Sequence, residues 1–330
     1  MNNIRRNGSL AVAAVLTAGI GLLAGCQVPK MLQEPFEQGV YEDILERQAQ
    51  GMEVEDKELK ELPAMTSTDY ERLGDSYLVR GQFGLARAKY QKALDLNPSE
   101  WRLEYKIGVI LLHQNAPGDA LPYFRAMTAR DPMNSRGWEG EGRALLAAKE
   151  HEGAETALKK AVRLDSGNWQ AQLALGMLYD DLGQLDAALA AFQAALKVRP
   201  REASILNNLG VAYYLRKDYP KAIETLEMAL HSAKPEDRKR IYNNLGRAYA
   251  RSGAYPRAVD SFRRGSDLAT AYNNVGVVLL EQDKPRDAVA CFQKAIKTSD
   301  RYYPTAEDNL AVAKDRSAGS GSGGGEIACP

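Results

Sequence analysis

A glycine that recurs at a nearly fixed interval constrains this chain more than any other feature. Successive copies are 34, 34, 34, 34, 36 and 30 residues apart. An alanine follows each glycine twelve positions later, and an aromatic residue or leucine follows sixteen positions later. Seven copies in register predict an array in which each unit buries its apolar face against the next. The glycines are Gly74, Gly108, Gly142, Gly176, Gly210, Gly246 and Gly276.

One unit, residues 169–200, shows what every copy is predicted to form. Apolar residues recur three and four positions apart in two runs, which predicts two amphipathic helices. Gly183 suits the C-cap of the first helix, and Pro200 stops the second. Small residues at Gly176 and Ala188 are predicted where the paired helices touch, and Phe192 is predicted to fill the space beside them. The equivalent alanines are Ala86, Ala120, Ala154, Ala222, Ala258 and Ala288, and the equivalent large residues are Tyr90, Phe124, Leu158, Leu226, Phe262 and Phe292.

The glycine, alanine, aromatic residue and closing proline together resemble the signature of the tetratricopeptide repeat. The resemblance covers residues 67–303 and implies an all-α fold, a right-handed superhelical solenoid of seven repeats. Residues 304–316, with Leu310 at the leucine position of the repeat, are predicted to form a C-terminal capping helix. Because such repeats bind many unrelated partners, the resemblance implies a fold rather than an activity.

Two intervals depart from the regular period. The 36-residue interval places two extra residues in the charged stretch 234–240. The 30-residue interval lacks four residues, which is about one helical turn. We therefore expect the second helix of repeat six to end near Gly265 and the curvature to change there. A functional kink and a neutral deletion explain this shortening equally well.

Residues 1–25 resemble a bacterial lipoprotein signal peptide. Arg5 and Arg6 precede an apolar stretch, residues 10–23, that is too short to span a bilayer comfortably. The stretch ends in Leu-Ala-Gly-Cys at residues 23–26, which resembles the lipobox. The resemblance implies that Cys26 becomes the mature N-terminus and carries fatty acids such as palmitate. The alternative is an ordinary secretory signal followed by a coincidental cysteine.

The residue after the lipobox bears on the destination of the protein. Gln27 stands where inner-membrane lipoproteins of enteric bacteria carry Asp, so the resemblance implies an outer-membrane, periplasm-facing location. Residues 26–66 match no repeat and are predicted to be the lipidated cysteine and a tether. Residues 317–330 are rich in Gly and Ser and are predicted to be disordered.

Three cysteines are too few for a disulfide scaffold. Cys291 lies within a predicted helix, where a small buried residue is the favoured interpretation over a reactive thiol. Cys329 falls in the predicted disordered segment and has no assigned role.

The sequence contains no recognisable catalytic, metal or nucleotide site. Its formal net charge is zero, so nucleic acid is not an expected partner. His113, His151 and His231 have no partner at metal-ligand spacing, and the H-E pair at His151 lacks the second histidine of a zinc protease. We expect a protein that is not an enzyme and that uses no cofactor.

Paired asparagines recur before the glycine of repeats five to seven. The pairs are Asn207 and Asn208, Asn243 and Asn244, and Asn273 and Asn274. In tetratricopeptide proteins these positions border the concave groove, and the pattern resembles the asparagine ladder of O-GlcNAc transferase, which holds peptide backbone. An amide offers both a donor and an acceptor to a peptide unit. The alternative is that some of these amides bond only a neighbouring helix.

Charged residues are predicted on the same face. Arg247 and Arg251 follow in repeat six, whereas Asp180 and Asp181 occupy comparable positions in repeat four. The predicted partner-binding groove is therefore acidic in its middle and basic toward its C-terminal part, and an extended segment of a protein partner is the predicted ligand.

A lipobox followed by a repeat array resembles two families of outer-membrane lipoproteins. One contains the Flp/Tad pilus assembly lipoproteins (the TadD family) and the type IV pilus pilotins, which implies a scaffold that helps a secretin assemble. The other contains the lipoproteins of the NlpI type, which gather peptidoglycan enzymes. An enzyme with a diverged site is a third and disfavoured alternative. The sequence leaves open the partner, the stoichiometry and the secretion or pilus system.

Overall fold

A computed structural model describes residues 65–319 and residue 329. The predicted signal peptide, Cys26, nearly all of the predicted tether and most of the Gly/Ser-rich segment lie outside these residues. The described part contains fifteen α-helices and no strand. They are α1 Ser67–Val79, α2 Phe83–Leu96, α3 Trp101–His113, α4 Pro117–Arg130, α5 Ser135–Ala147, α6 His151–Leu164, α7 Trp169–Asp181, α8 Leu185–Val198, α9 Ala203–Leu215, α10 Tyr219–Ser232, α11 Pro235–Arg251, α12 Tyr255–Gly265, α13 Leu268–Glu281, α14 Pro285–Thr298 and α15 Pro304–Gly319.

The chain divides between Ala154 and Glu155 into two compact units. In the first unit α1 packs on α2, α3 packs on α4, and α5 packs on α4. In the second unit α7 pairs with α8, α9 with α10, α11 with α12, and α13 with α14, and α15 packs on α14. The predicted all-α fold with two helices per repeat is confirmed. None of helices α1–α15 combines the length and the apolar character needed to cross a bilayer.

In repeats one, two, four, five, six and seven, the recurring glycine lets a large side chain pack against the first helix of the pair. A Cβ atom at Gly176 would lie 2.4 Å from the Phe192 ring, closer than non-bonded carbon atoms approach. Ala188 is 0% exposed and Phe192 is 1% exposed. The equivalent alanines and large residues of the other six repeats are likewise buried, as the sequence predicts.

The turn inside each repeat uses a left-handed backbone conformation. Gly183 has φ of 70°, which confirms its predicted place at the end of α7. Gly81 and Gly253 occupy the same place in their repeats. In the remaining repeats the left-handed position is held by residues with a side chain, which are Asn115, Lys149, Lys217 and Asp283.

Repeat three buries a hydrogen-bonded carboxylate and a guanidinium. The Tyr105 hydroxyl donates to Glu139 Oε2 at 2.7 Å, and Arg143 donates to Glu139 Oε1 at 2.8 Å. All three side chains are buried. The carboxylate is thus paired and hydrogen-bonded, which is the condition under which a charge is tolerated in a protein interior.

Repeat six has a long first helix and a short second helix. The extra residues are helical, since α11 begins at Pro235 and runs for 17 residues. Helix α12 has 11 residues and ends at Gly265, which confirms the predicted shortening. A Cβ atom at Gly265 would lie 2.5 Å from Asn243 Oδ1. Glycine at this position therefore allows the shortened helix to end against α11.

The C-terminal end of the chain differs from the prediction in two respects. Helix α15 continues to Gly319, so residues 317–319 are helical rather than disordered. No proline or other strong helix breaker interrupts residues 314–318, which explains the extension. Cys291 and Cys329 form a disulfide bond, and both are buried. The predicted burial of Cys291 is confirmed, whereas its pairing with Cys329 was not predicted.

Candidate functional site

The predicted partner-binding residues lie on three successive first helices of the second unit. Helix α9 carries Asn207 and Asn208, α11 carries Asn243, Asn244, Arg247 and Arg251, and α13 carries Asn273 and Asn274. Helix α11 contacts both α9 and α13. We call these side chains and Tyr214 of α9 the first-helix face. Neighbouring residues of a helix point about 100° apart, so the two asparagines of each pair meet different surroundings.

Two of the predicted ligand-binding asparagines instead join neighbouring first helices. Asn207 is 2% exposed, and its Oδ1 accepts a hydrogen bond of 2.9 Å from Asn244 Nδ2. Asn273 is 6% exposed, and its Oδ1 accepts one of 2.9 Å from Asn309 Nδ2. These buried contacts, between α9 and α11 and between α13 and α15, match the alternative in which some of the amides bond a neighbouring helix.

Asn309 is a residue of this ladder that the sequence analysis missed. It precedes Leu310 as Asn208, Asn244 and Asn274 precede the leucine or valine of their repeats. Its position directly before Leu310 is the sequence signal that identifies it.

Asn243 has different surroundings from Asn207 and Asn273. Its Oδ1 is buried, has no hydrogen-bond partner and lies beside Gly265 at the end of α12. The interval between Asn243 and Asn274 is five residues shorter than the 36 residues that separate Asn273 from Asn309. The ladder therefore lacks its hydrogen bond at the junction of repeats six and seven.

Asn208 and Asn274 keep the predicted capacity to bind a peptide. Both are partly exposed, and neither amide is hydrogen-bonded to another described residue. Each amide can therefore donate to and accept from an incoming backbone.

Arg247 is the exposed cation of the face. Its guanidinium lies over the Tyr214 ring, 5.3 Å from the ring centre. It forms no ion pair with a described carboxylate. A cation over an aromatic ring is held in place without being neutralised. The Arg247 guanidinium is therefore exposed and unpaired, as the predicted role of attracting an acidic group requires.

Arg251 is already engaged within the protein. Its Nε donates to the Tyr214 hydroxyl at 3.3 Å, and its terminal nitrogen pairs with Glu281 Oε2 at 2.5 Å. Burial alone would lower the pKa of Arg251, but the hydrogen bond to Tyr214 and the Glu281 carboxylate raise it. Arg251 therefore stays charged and holds Tyr214 by a hydrogen bond, whereas the Arg247 guanidinium remains available to a partner.

One member of the acidic pair of repeat four, Asp180, has a raised pKa. Burial and the neighbouring Asp181 raise the pKa of Asp180 above its usual value of 3.8, and Asp180 Oδ1 is buried without a hydrogen-bond partner. The carboxyl group therefore takes up a proton more readily than an ordinary aspartate as the pH falls.

The chemistry of the face suits binding of a peptide. Within residues 65–319 and 329, no group of three or more His, Cys, Asp or Glu side chains is placed to hold a metal ion. Two amides, a tyrosine and an unneutralised arginine offer hydrogen bonds and one positive charge. These groups match an extended backbone that carries an acidic side chain.

Comparisons with known proteins identify the repeat. Profiles described as tetratricopeptide repeat match residues 71–132, 117–168 and 173–238, residues 241–270, and residues 268–301. The chain is similar to protein bimA of Emericella nidulans, with 31% identity over 111 residues. That match covers 34% of this chain and 13% of bimA, so the chain spans a small part of the length of this relative.

Two solved structures share the fold. A chain of the APC/C hetero-tetramer Cut9-Hcn1 superposes with a TM-score of 0.55 at 22% identity, over 75% of this chain and 52% of that one. TTC0263, a thermophilic TPR protein of Thermus thermophilus, superposes with a TM-score of 0.51 at 24% identity, over 55% of this chain and 99% of that one. The repeat profiles together cover more than half of the sequence. The chain belongs to the tetratricopeptide-repeat family.

Proposed function

We propose that this chain is a lipid-anchored, periplasm-facing scaffold of the outer membrane that binds a protein partner along the first-helix face. Its partner is a secretin or another component of a Flp (Tad) or type IV pilus system, whose assembly it assists as a pilotin does. The observation that carries the binding role is Arg247, an exposed cation over Tyr214 with the free amides of Asn208 and Asn274 on adjacent helices.

The disulfide supports the proposed compartment. Disulfides persist in oxidising environments such as the bacterial periplasm and are rare in the cytosol. The Cys291–Cys329 bond agrees with export by the signal peptide that residues 1–25 resemble. Several acyl chains on Cys26 would hold the protein on the membrane more firmly than one chain could.

The anchor and the pilus role are tested together by changing the proposed lipidation site. Cys26→Ala should abolish labelling by a fatty-acid analogue and release the protein from the outer-membrane fraction. Secretin multimers should then fail to accumulate in the outer membrane of the host. A matched variant with both Cys291→Ser and Cys329→Ser should keep the label, since it retains Cys26.

The outcomes separate the two parts of the proposal. Continued labelling and membrane partition of Cys26→Ala would show that the chain is not a lipoprotein. Loss of the label with normal secretin multimers would overturn the pilotin role, and capture of peptidoglycan hydrolases or synthases would then favour a cell-wall scaffold.

A further inference from the structure

A crevice of about 880 Å³ lies in the second unit, and its lining residues Leu245 and Tyr249 are each two positions from Arg247 on α11, about 160° around the helix from that residue of the first-helix face. Helices α10 and α12 form its walls, and side chains of α11 form its floor. The apolar part of the lining consists of Leu230, Leu245 and the rings of Tyr242 and Tyr249. None of the residues predicted to bind a partner lines it.

The irregular spacing of repeat six explains why space is left here. The second helices of repeats one, two, four, five and seven have 14 residues, whereas α12 has 11. The end of α12 packs against the N-terminal half of α11, where a Cβ atom at Gly265 would meet Lys239 O and Asn243. Because α12 stops early and α11 starts early, Arg238 and Tyr242 of α11 line the crevice, and the Arg264 guanidinium lies over the Tyr242 ring at 5.8 Å from its centre.

The acidic groups of the crevice are already engaged. The Tyr249 hydroxyl donates to Glu227 Oε1. Asp260 accepts hydrogen bonds of 2.8 Å from both Arg263 and Arg264. These carboxylates therefore have little free capacity to bind a cationic ligand.

Two arginines of the crevice are not neutralised. Arg238 donates to the backbone oxygen of Ala233 at 3.3 Å, and Arg257 lies over the Tyr249 ring at 5.7 Å. Both are exposed, and neither pairs with a described carboxylate. The crevice thus combines an aromatic and aliphatic floor with positive charge at its rim, and the complementary ligand is acidic and partly apolar.

We infer that this outer crevice is a second binding site, which takes a segment of a protein partner that combines Asp or Glu with aliphatic or aromatic side chains. The inference rests on the proposed scaffold role and extends it, because two sites on different sides would let one molecule hold two partners. Arg238 and Arg257 would meet the acidic side chains, and Tyr242, Leu230 and Leu245 would cover the apolar ones.

The test is fluorescence anisotropy of the full chain in detergent with a labelled short peptide in which Glu-Glu alternates with Leu-Tyr. A peptide with Gln in place of Glu serves as the uncharged probe. The Arg238→Glu/Arg257→Glu variant should bind the acidic peptide at least about tenfold more weakly than the wild type. A matched variant, Lys197→Glu/Arg201→Glu, changes the net charge equally at exposed positions outside the crevice and should keep wild-type affinity.

Several results would overturn the inference. The first is that the wild type does not bind the acidic peptide, and the second is that it binds the Gln peptide equally well. The third is that both double variants lose the same affinity for the acidic peptide while their circular dichroism stays unchanged. Loss of peptide binding in an Arg247→Glu variant, with binding intact in the crevice variant, would place the acidic ligand on the first-helix face instead. Tighter binding to vesicles of anionic phospholipid, lost in the crevice variant, would make the crevice a membrane contact. The Cys26→Ala experiment is independent of all these results.

Discussion

At the scale of single residues, the small size of one glycine and one alanine lets the paired helices of a repeat approach closely. Gly176 has no Cβ atom where the Phe192 ring lies, and Ala188 fills its site with one methyl group at 0% exposure. An interior packed to this density has no room for additional atoms.

Ala188→Phe should destabilise repeat four by roughly 1–3 kcal/mol or more, because overpacking forces side chains and backbone from their preferred positions. Thermal unfolding followed by circular dichroism measures the loss. Ala190→Phe adds the same ring at an exposed position of the same helix and should change the melting temperature little. Equal melting of the two variants would show that Ala188 is not a packing contact.

A substitution at one of the left-handed turn residues is expected to raise stability rather than lower it. Lys217 has φ of 66°, a conformation that disfavours a residue with a Cβ atom. Lys217→Gly should therefore raise the free energy of unfolding by about 0.5–1 kcal/mol, after the greater freedom of glycine in the unfolded chain is subtracted. Chemical denaturation measures the gain. Lys197→Gly, inside α8, should lower stability instead, and a loss in both variants would contradict the argument.

The residues that the sequence predicted well are those whose surroundings repeat. The glycines, alanines and aromatic rings meet the same neighbours in every copy, so their burial follows from the period alone. The direction of an asparagine does not follow in this way. Asn207 and Asn273 bond the next first helix, whereas Asn243 lies beside Gly265, because the spacing to the following repeat differs.

At the scale of helices, the short α12 explains the crevice, which the regular repeat period does not predict. The early end of α12 was predictable from four missing residues, but the crevice that it leaves required the positions of α10 and α11. The disulfide was not predictable, since Cys291 and Cys329 are 38 residues apart and belong to no common motif. Their proximity depends on α15 turning back over α14.

The disulfide closes a covalent loop that contains α15. Cys329→Ser should reduce the stability of the C-terminal repeat by about 2–4 kcal/mol, because the unfolded chain gains freedom when the loop is opened. Hydrogen exchange should quicken in α14 and α15 and stay unchanged in α7 and α8. A reducing agent should reproduce this effect in the wild type and have none on the variant. Unchanged exchange in α14 and α15 would show that the bond does not hold α15.

At the scale of the whole molecule, neighbouring repeats contact one another within each of the two units, so stability is spread along each unit and surfaces of different chemistry coexist. Asn207 and Asn273 hold successive helices together, which means that changing them to Ala tests folding rather than binding. The residues that we propose for partner binding are Asn208, Asn274 and Arg247, and Arg251 holds Tyr214 by a hydrogen bond.

The most direct measurement of the proposed function is the affinity of the full chain, in detergent, for the secretin of its host. The variant Asn208→Ala/Asn274→Ala/Arg247→Glu should bind at least about tenfold more weakly, since each neutral hydrogen bond contributes about 0.5–1.5 kcal/mol and the charge is reversed. Its remaining affinity should depend less on salt. A variant changed only at Arg201→Glu, outside the face, should bind as the wild type does. Wild-type affinity in the folded triple variant would contradict the account.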